Sequence, residues 1–416
     1  MVLLADPEKP YSVKRLSHCP TFLLFAYLTV STAFAQLRVS PVFSDRMLLQ
    51  ADKPIVVWGK GLPGKTVTAR ISNDQARTLV AADSTWELSL PKQKASGHPN
   101  RLIVAMEGET VALDDILFGD VWLCIGQSNM EWPMSREKHW DMEKAEADQP
   151  MIRFANPPPA GRYVYGVPYG DSLKDRLTTA RFYDWDGWRV CDSQTVASMS
   201  AVAYYFAKRL RSDIDRPIGL INLSIGGAPL ESFIGLDAME RHPRFQGKAK
   251  GDWLLNDSLP VWIRERGRQN VGGGNARFED DMGPNHAFKP GFAYASGIAS
   301  LSKMPIKGVL VYQGESNAEE EARVREYCEL FRLMADGYRK AWRDNRLPFY
   351  WVQLSSIERP LWPMFRDVQR RLLDELDHVG MAVTSDVGMR NDVHPRDKRT
   401  VGETVSYTHL TLPTKA

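Results

Sequence analysis

The chain has 416 residues, 43% of them apolar and 25% charged, with 53 Lys and Arg against 51 Asp and Glu. At about 150 residues per domain this length accommodates two or three domains with cores of their own, and the composition excludes a mainly disordered chain. A net charge of +2, with basic and acidic side chains interleaved as in Arg323-Val-Arg-Glu-Tyr and Arg396-Asp-Lys-Arg, leaves no electrostatic footprint for nucleic acid.

The first element is a leader. Lys14 and Arg15 precede an apolar run from Thr21 to Ala35 that closes on Ala33-Phe34-Ala35. The run falls short of the roughly 20 residues that span a bilayer, and its small-x-small end suits a signal peptidase. Residues 1–35 are therefore expected to be a signal peptide, leaving an exported protein with no stable membrane span. Removal of Cys19 with the leader leaves Cys124, Cys191 and Cys328, an odd count that requires at least one free thiol or an intermolecular bridge.

Residues 36–114 carry short β-branched runs between turn signals: Pro54–Trp58, Thr66–Ile71, Thr85–Leu90 and Arg101–Ala105. Runs of this kind predict a small antiparallel β-sandwich. Gly59-Lys-Gly-Leu-Pro-Gly-Lys-Thr66 matches the nucleotide-binding P-loop letter for letter. That loop works only ahead of a helix, whose free amides and dipole hold the phosphates. Here Val67, Ala69 and Ile71 alternate with polar residues, the periodicity of a strand, so a hairpin turn is expected instead.

From residue 115 to 404 strands alternate with amphipathic helices. Strands are predicted at Phe118–Ile125, Pro217–Leu223, Ile306–Tyr312, Pro348–Leu354 and Val379–Ser385. Helices are predicted from a Ser200 cap through Ser212, over Glu319–Trp342 and over Met364–Leu376. Such alternation implies a mostly parallel sheet with helices on both faces. Two Pro/Gly/aromatic-rich segments, Asn156–Asp171 and Gly251–Gly291, interrupt it as long loops of the kind that carry function. Residues 405–416 (VSYTHLTLPTKA) look unrelated to what precedes them and resemble a translated adapter. They are expected to be a non-native tail that packs poorly, after a domain truncated near Glu403.

Four strand ends carry the candidate chemistry. The strand Val121–Ile125 opens into Gly126-Gln127-Ser128-Asn129, which places a hydroxyl at the carboxyl edge of a sheet, where ligands of open α/β sheets bind. Pro217–Leu223 opens into Ser224-Ile225-Gly226-Gly227, whose glycine amides are candidate oxyanion donors. Ile306–Tyr312 opens into Gln313-Gly314-Glu315-Ser316-Asn317, which adds a side-chain amide. Beyond the last strand, Asn391-Asp392-Val393-His394 offers a general base with a carboxylate beside it. The sequence contains no CxxC or HExxH pattern that would announce a metal site.

The strings GDVWLCIGQSNMEWPM, INLSIGGAPLESF, KGVLVYQGESNA, PFYWVQL and NDVHPRDK, in this order, resemble the sialate O-acetylesterase family of the SGNH hydrolase superfamily. The phrase FSDRMLLQADKPIVVWGKGLPGKTV resembles that family's N-terminal module, so the likeness runs from about Leu37 to Glu403. The resemblance implies an SGNH-type three-layer α/β/α parallel sheet behind an N-terminal antiparallel β-sandwich. It also implies an exported esterase that removes O-acetyl groups from sialic acid, with acetylated xylan or another polysaccharide as the alternative substrate, and a carbohydrate-binding relative without turnover as a third reading. Ser128 becomes the nucleophile and His394 the base. The Ser128 amide, one of the Gly226 and Gly227 amides and Asn317 become the oxyanion hole, with Gln127 in support. No metal or organic cofactor is implied. Two positions depart from the pattern. The superfamily often places its acid three residues before the histidine, where this chain has Asn391, so Asp392 is the first choice, with Asp386 or Glu315 as substitutes. His286-Ala-Phe-Lys-Pro-Gly also stands where the family's tyrosine-asparagine-glycine phrase is expected.

Overall fold

The computed structural model describes residues 36–272 and 279–411; the expected leader, residues 1–35, lies outside the described residues. Its first seven strands are β1 (Arg38–Val39), β2 (Leu48–Gln50), β3 (Ile55–Lys60), β4 (Thr66–Ile71), β5 (Asp74–Leu79), β6 (Thr85–Leu90) and β7 (Ser96–Met106). They are followed by β8 (Glu109–Gly126), β9 (Gln149–Ala155), β10 (Arg189–Cys191), β11 (Ile218–Asn222), β12 (Glu279–Asp280) and β13 (Gly283–Pro284). The last three are β14 (Gly308–Tyr312), β15 (Phe349–Val352) and β16 (Val379–Ala382).

The strand β8, of 18 residues, organises the molecule. Its first half pairs antiparallel with β7, and β7 in turn pairs with β4 and β4 with β5. Its second half lies between β11 and β14 in the order β10-β9-β11-β8-β14-β15-β16, parallel throughout except for β10 at the edge. The result is a large mixed sheet of 11 strands beside a small sheet β1-β3-β6. The 114/115 boundary expected from the change in pattern falls inside β8. Residues of β8 alternate between half-buried and exposed up to Asp115 and are buried without interruption from Ile116 to Gly126. That is the difference between a strand with one solvated face and one covered on both.

The covering helices follow from the apolar spacing. The helix Ala201–Asp213 starts where the Ser200 hydroxyl accepts from the Ala203 amide at 3.3 Å, a cap worth about 1 kcal/mol. It buries Val202, Tyr205, Phe206 and Leu210, and the Phe206 ring meets Trp122 of β8 edge-on at 5.0 Å. The helices Glu321–Trp342 and Trp362–Glu375 pack on each other, with Tyr327 against Phe365 at 4.5 Å. Among the described residues no helix is long and apolar enough to cross a membrane, and Cys124, Cys191 and Cys328 are free thiols.

Three expectations need correction. The Gly59–Thr66 segment leads into a strand as its periodicity indicated, but it is no hairpin: β3 belongs to the small sheet and β4 to the large one, so the loop crosses between sheets. The segment 251–291 is not all loop. Val261–Val271 is a helix, closed on one side by Gly267, where an added Cβ would lie 2.1 Å from the Trp253 ring. The expected loosely packed tail is, from residue 405 to 411, the end of the helix Lys398–Thr411. The i, i+4 register puts Val401 and Val405 on one buried face against the helix Ala201–Asp213. His409 then packs edge-on against Trp122 at 4.8 Å, with its Nδ1 3.1 Å from the Tyr350 hydroxyl.

Candidate active site

Sheet geometry brings the four strand-end motifs together. At the end of β8, Gly126 adopts φ +137°, and a Cβ there would lie 2.0 Å from the Tyr312 carbonyl oxygen of β14. Only glycine allows that approach, and it turns the chain so that Ser128 opens a short helix, Ser128–Glu131. Ser128 Oγ lies 2.8 Å from His394 Nε2, although the two residues are 266 positions apart. His394 Nδ1 is 3.1 Å from Asp392 Oδ1, and the same oxygen accepts from the His394 amide at 2.9 Å. With Nδ1 held by the carboxylate, Nε2 is left to accept the serine proton, the arrangement of a nucleophile, a base and an orienting acid.

The surroundings tune these groups. Burial draws the His394 imidazole below its ordinary value, partly offset by the Asp392 charge. Burial pushes the Asp392 carboxyl up, but the hydrogen bonds and charge of His394 outweigh it and leave the carboxyl below its usual range. The Trp132 ring stacks on His394, with centroids 5.3 Å apart and planes inclined by 26°. A contact of this kind contributes about 0.5–1.5 kcal/mol and fixes the plane of the imidazole.

The other two candidates for the acid are elsewhere. Asp386 is exposed in the short turn Ser385–Val387. Glu315 is buried and accepts from Asn129 Nδ2; burial pushes its carboxyl up to about 7. Asn129 is the centre of a network that sequence reasoning missed. Its Nδ2 also donates to the Val393 carbonyl at 2.8 Å, and its Oδ1 accepts from the buried Lys398, whose ammonium burial pulls down to about 7.

The candidate oxyanion donors separate. The Gly226 amide donates to Glu131 Oε2 at 2.8 Å and is not free for a reacting oxygen, which removes it from the expected set. Gly227, at φ +75° with the Phe288 ring 3.1 Å from any added Cβ, must be glycine; its amide and that of Ser128 have no hydrogen-bond partner among the described residues. Asn317 is fully buried. Its Oδ1 accepts from the Leu230 amide at 3.0 Å and from Gln313 at 2.8 Å, and its Nδ2 donates to Glu231 at 3.1 Å, which commits one of two amide hydrogens. Gln127 is also buried and accepts from the Ser316 amide at 3.2 Å, bracing the loop after β14 against the loop after β8.

Glu231, a residue the sequence reading did not single out, holds Asn317 in place. It is fully buried between Lys248 at 2.8 Å and Arg323 at 3.0 Å. Burial opposes its charge, yet the two cations win and hold its carboxyl down at about 2. Its place within the PLESF run, one turn after the glycine pair, was the available signal. His286, the other departure from the family phrase, is structural. It is buried, its Nδ1 accepts from the Phe288 amide at 3.0 Å, its Nε2 lies 3.1 Å from Asn270 Oδ1, and burial pushes it down to about 3, so it stays neutral. Glu137, His139 and Asp397 bring three ligand atoms within 4.8 Å, the spacing of a cation site. Their groups already serve others: Glu137 accepts from Tyr205 at 3.1 Å and from the Lys398 amide at 3.2 Å, and Asp397 accepts from Lys138 at 3.2 Å and the Thr400 amide at 3.0 Å.

Comparison with known proteins shows what the chain is similar to. Residues 288–407 match the family described as carbohydrate esterase, sialic acid-specific acetylesterase. Human sialate O-acetylesterase is 26% identical over 401 residues, covering 87% of this chain and 68% of that protein. The rat enzyme of the same name is 26% identical over 415 residues, covering 88% and 71%. The chain is thus similar to the sialate O-acetylesterases over most of its length and to their family model over residues 288–407. It is accordingly a carboxylic-ester hydrolase. A carbohydrate acetylesterase from Xanthomonas citri has a similar crystal structure, with a TM-score of 0.70 and 27% identity over 89% of this chain and 74% of that one. The match to residues 288–407 spans β14, β15, β16 and the His394 loop, and it reaches into the helix that ends at Thr411.

Proposed function

We propose that the protein is an exported esterase that hydrolyses O-acetyl esters of sialic acids through an acetyl-enzyme on Ser128. The observation that carries this reading is the 2.8 Å contact between Ser128 Oγ and His394 Nε2, with Asp392 on the far side of the ring. The names of the relatives support the sugar, and the basic patch and apolar run at the N-terminus support export. The parallel order of β9, β11, β8, β14, β15 and β16 and two pairs of packed helices support an SGNH-type three-layer core. The sheet β1-β3-β6 beside β4, β5 and β7 supports an N-terminal sandwich.

In this mechanism His394 Nε2 takes the Ser128 proton as Oγ attacks the acetyl carbonyl carbon. The carbonyl oxygen, now negative, rests on the amides of Ser128 and Gly227 and on the remaining amide hydrogen of Asn317. The carbon–oxygen bond to the sugar breaks, and the sugar oxygen leaves with the proton from His394. Water then gives a proton to His394 and attacks the acetyl carbon, and the second collapse returns that proton to Ser128 and releases acetate. Asp392 stays ionised throughout and stabilises the imidazolium.

The test is acetate release from O-acetylated sialic acid and from acetylated xylan, measured side by side with the purified protein. Faster release from the sialic acid, abolished by Ser128→Ala, is the expected result. Preference for the xylan would replace the proposed substrate, and no release from either sugar or from a simple aryl acetate would reject the enzyme.

A further inference from the structure

Ser128 and His394 line an open cleft that also includes Glu131, Trp132, Arg136 and Tyr163. Two charged side chains face one another's company there, and they are not equivalent. Glu131 is neutralised by Arg162 at 2.6 Å and by the Gly226 amide. Arg136 has no carboxylate and no hydrogen-bond acceptor on its guanidinium among the described residues. The cleft therefore carries one uncompensated positive charge. At the other opening beside Ser128 the corresponding arginine, Arg359, is paired with Glu319.

Arg136 is also held in place. It closes the single turn Met134–Arg136, and its Cζ sits 4.1 Å from the centroid of Trp132. The Trp132 ring in turn stacks on His394 at 5.3 Å, so one ring links the guanidinium to the base. An arginine laid flat on an aromatic face keeps its outer N–H edge free and loses little freedom when a planar anion docks against it. The planar anion that a sialic acid has, and a xylose or glucose unit lacks, is the carboxylate on its ring.

We propose that Arg136 is a specificity-determining residue that pairs with the ring carboxylate of the substrate and selects acidic over neutral acetylated sugars. This rests on the sialic acid reading above. The pairing is a forked, charge-assisted one at an exposed guanidinium, worth up to about tenfold in kcat/KM. An acetylated neutral sugar leaves the guanidinium with only its contact to Trp132.

The experiment compares kcat/KM for O-acetylated sialic acid with that for its methyl ester, in which the carboxylate is capped, using wild type, Arg136→Gln and Arg136→Lys. Wild type should favour the free acid by about three- to tenfold. Arg136→Gln should bring the ratio close to one, through KM for the free acid, and Arg136→Lys should fall between because it keeps the charge and loses the fork. A wild-type ratio near one, or a ratio that survives in Arg136→Gln, would overturn the proposal and leave the esterase reading standing. Loss of both sialic esters as wild-type substrates, with an aryl acetate still cleaved, would overturn the sialic acid reading and this proposal with it.

Discussion

Asn129 donates to the carbonyl of Val393 at 2.8 Å, and these are the immediate neighbours of Ser128 and His394 in the chain. Ser128 and His394 are thus tied by their flanking residues across 264 positions of sequence. The tie sits in a buried setting: Asn129 is 1% exposed, and the same side chain bonds Glu315 and Lys398.

Asn129→Ala should therefore affect stability and rate together. It leaves the Lys398 ammonium and the Glu315 carboxyl without their shared partner, at an expected cost of about 2–4 kcal/mol. Release of the His394 loop should lower kcat at least tenfold at temperatures where the variant is folded. Urea unfolding and single-turnover kinetics check the two effects separately; a variant as stable and as fast as wild type would remove Asn129 from this role.

Ser128→Ala should abolish acetyl-enzyme formation and leave the unfolding midpoint nearly unchanged, because the hydroxyl bonds the base and no part of the core. Mass spectrometry of the protein quenched during turnover should find the acetyl group on wild type alone. Acetate release by the purified variant would reject the serine as nucleophile.

The acid can be identified through pH. Since burial lowers the His394 imidazole, the acid limb of kcat/KM should lie below the ordinary histidine value of about 6.5. The Asp392 charge raises the imidazole, so Asp392→Asn should move that limb further down while cutting kcat by roughly 10²–10⁴ through the wrong tautomer. Asn391→Ala and Asp386→Asn should leave the limb in place. Equal profiles for all three variants would move the acid's role away from Asp392.

Lys398 makes a prediction about stability. Its ammonium titrates at about 7 in the folded protein and near 10.5 when exposed, so between those values the unfolded chain binds more protons. Stability from this group therefore rises with pH from about 7 to 10.5, is lost as pH falls back across that window, and changes no further below 7, where both states hold the proton. Lys398→Met should flatten that rise, read from urea midpoints at several pH values. An unaltered slope would show that Lys398 keeps an ordinary value in its buried position.

Legibility followed the range of the interactions. The strand β6 and the helix Glu321–Trp342 were readable because their apolar periods are local, as was the Ser200 cap. The strand β5, Asp74–Leu79, was missed because it alternates between half-buried and exposed with hardly an apolar residue. Ser128, His394 and Asp392 were nameable because turn chemistry at strand ends and the family strings pointed the same way. The Gly226 amide's attachment to Glu131, the Glu231 cluster under Asn317 and the stack of Trp132 on His394 had no local sign. Each joins segments distant in the chain, and only the folded sheet sets their separation. The packing of residues 405–409 was misread because Thr and His supply little of the usual helix signal, whereas Trp122 and Tyr350 supply the packing.

The unbroken course of β8 has an engineering consequence. One continuous strand leaves the hydrogen-bond ladder of β7 and ends two residues before Ser128, so the amino-terminal module cannot be exchanged as a cassette without cutting the rail on which Ser128 is mounted. Grafting the catalytic half onto another scaffold would require that scaffold to provide a neighbour for residues 109–118, in register with Leu102 and Ile103, as well as a junction sequence.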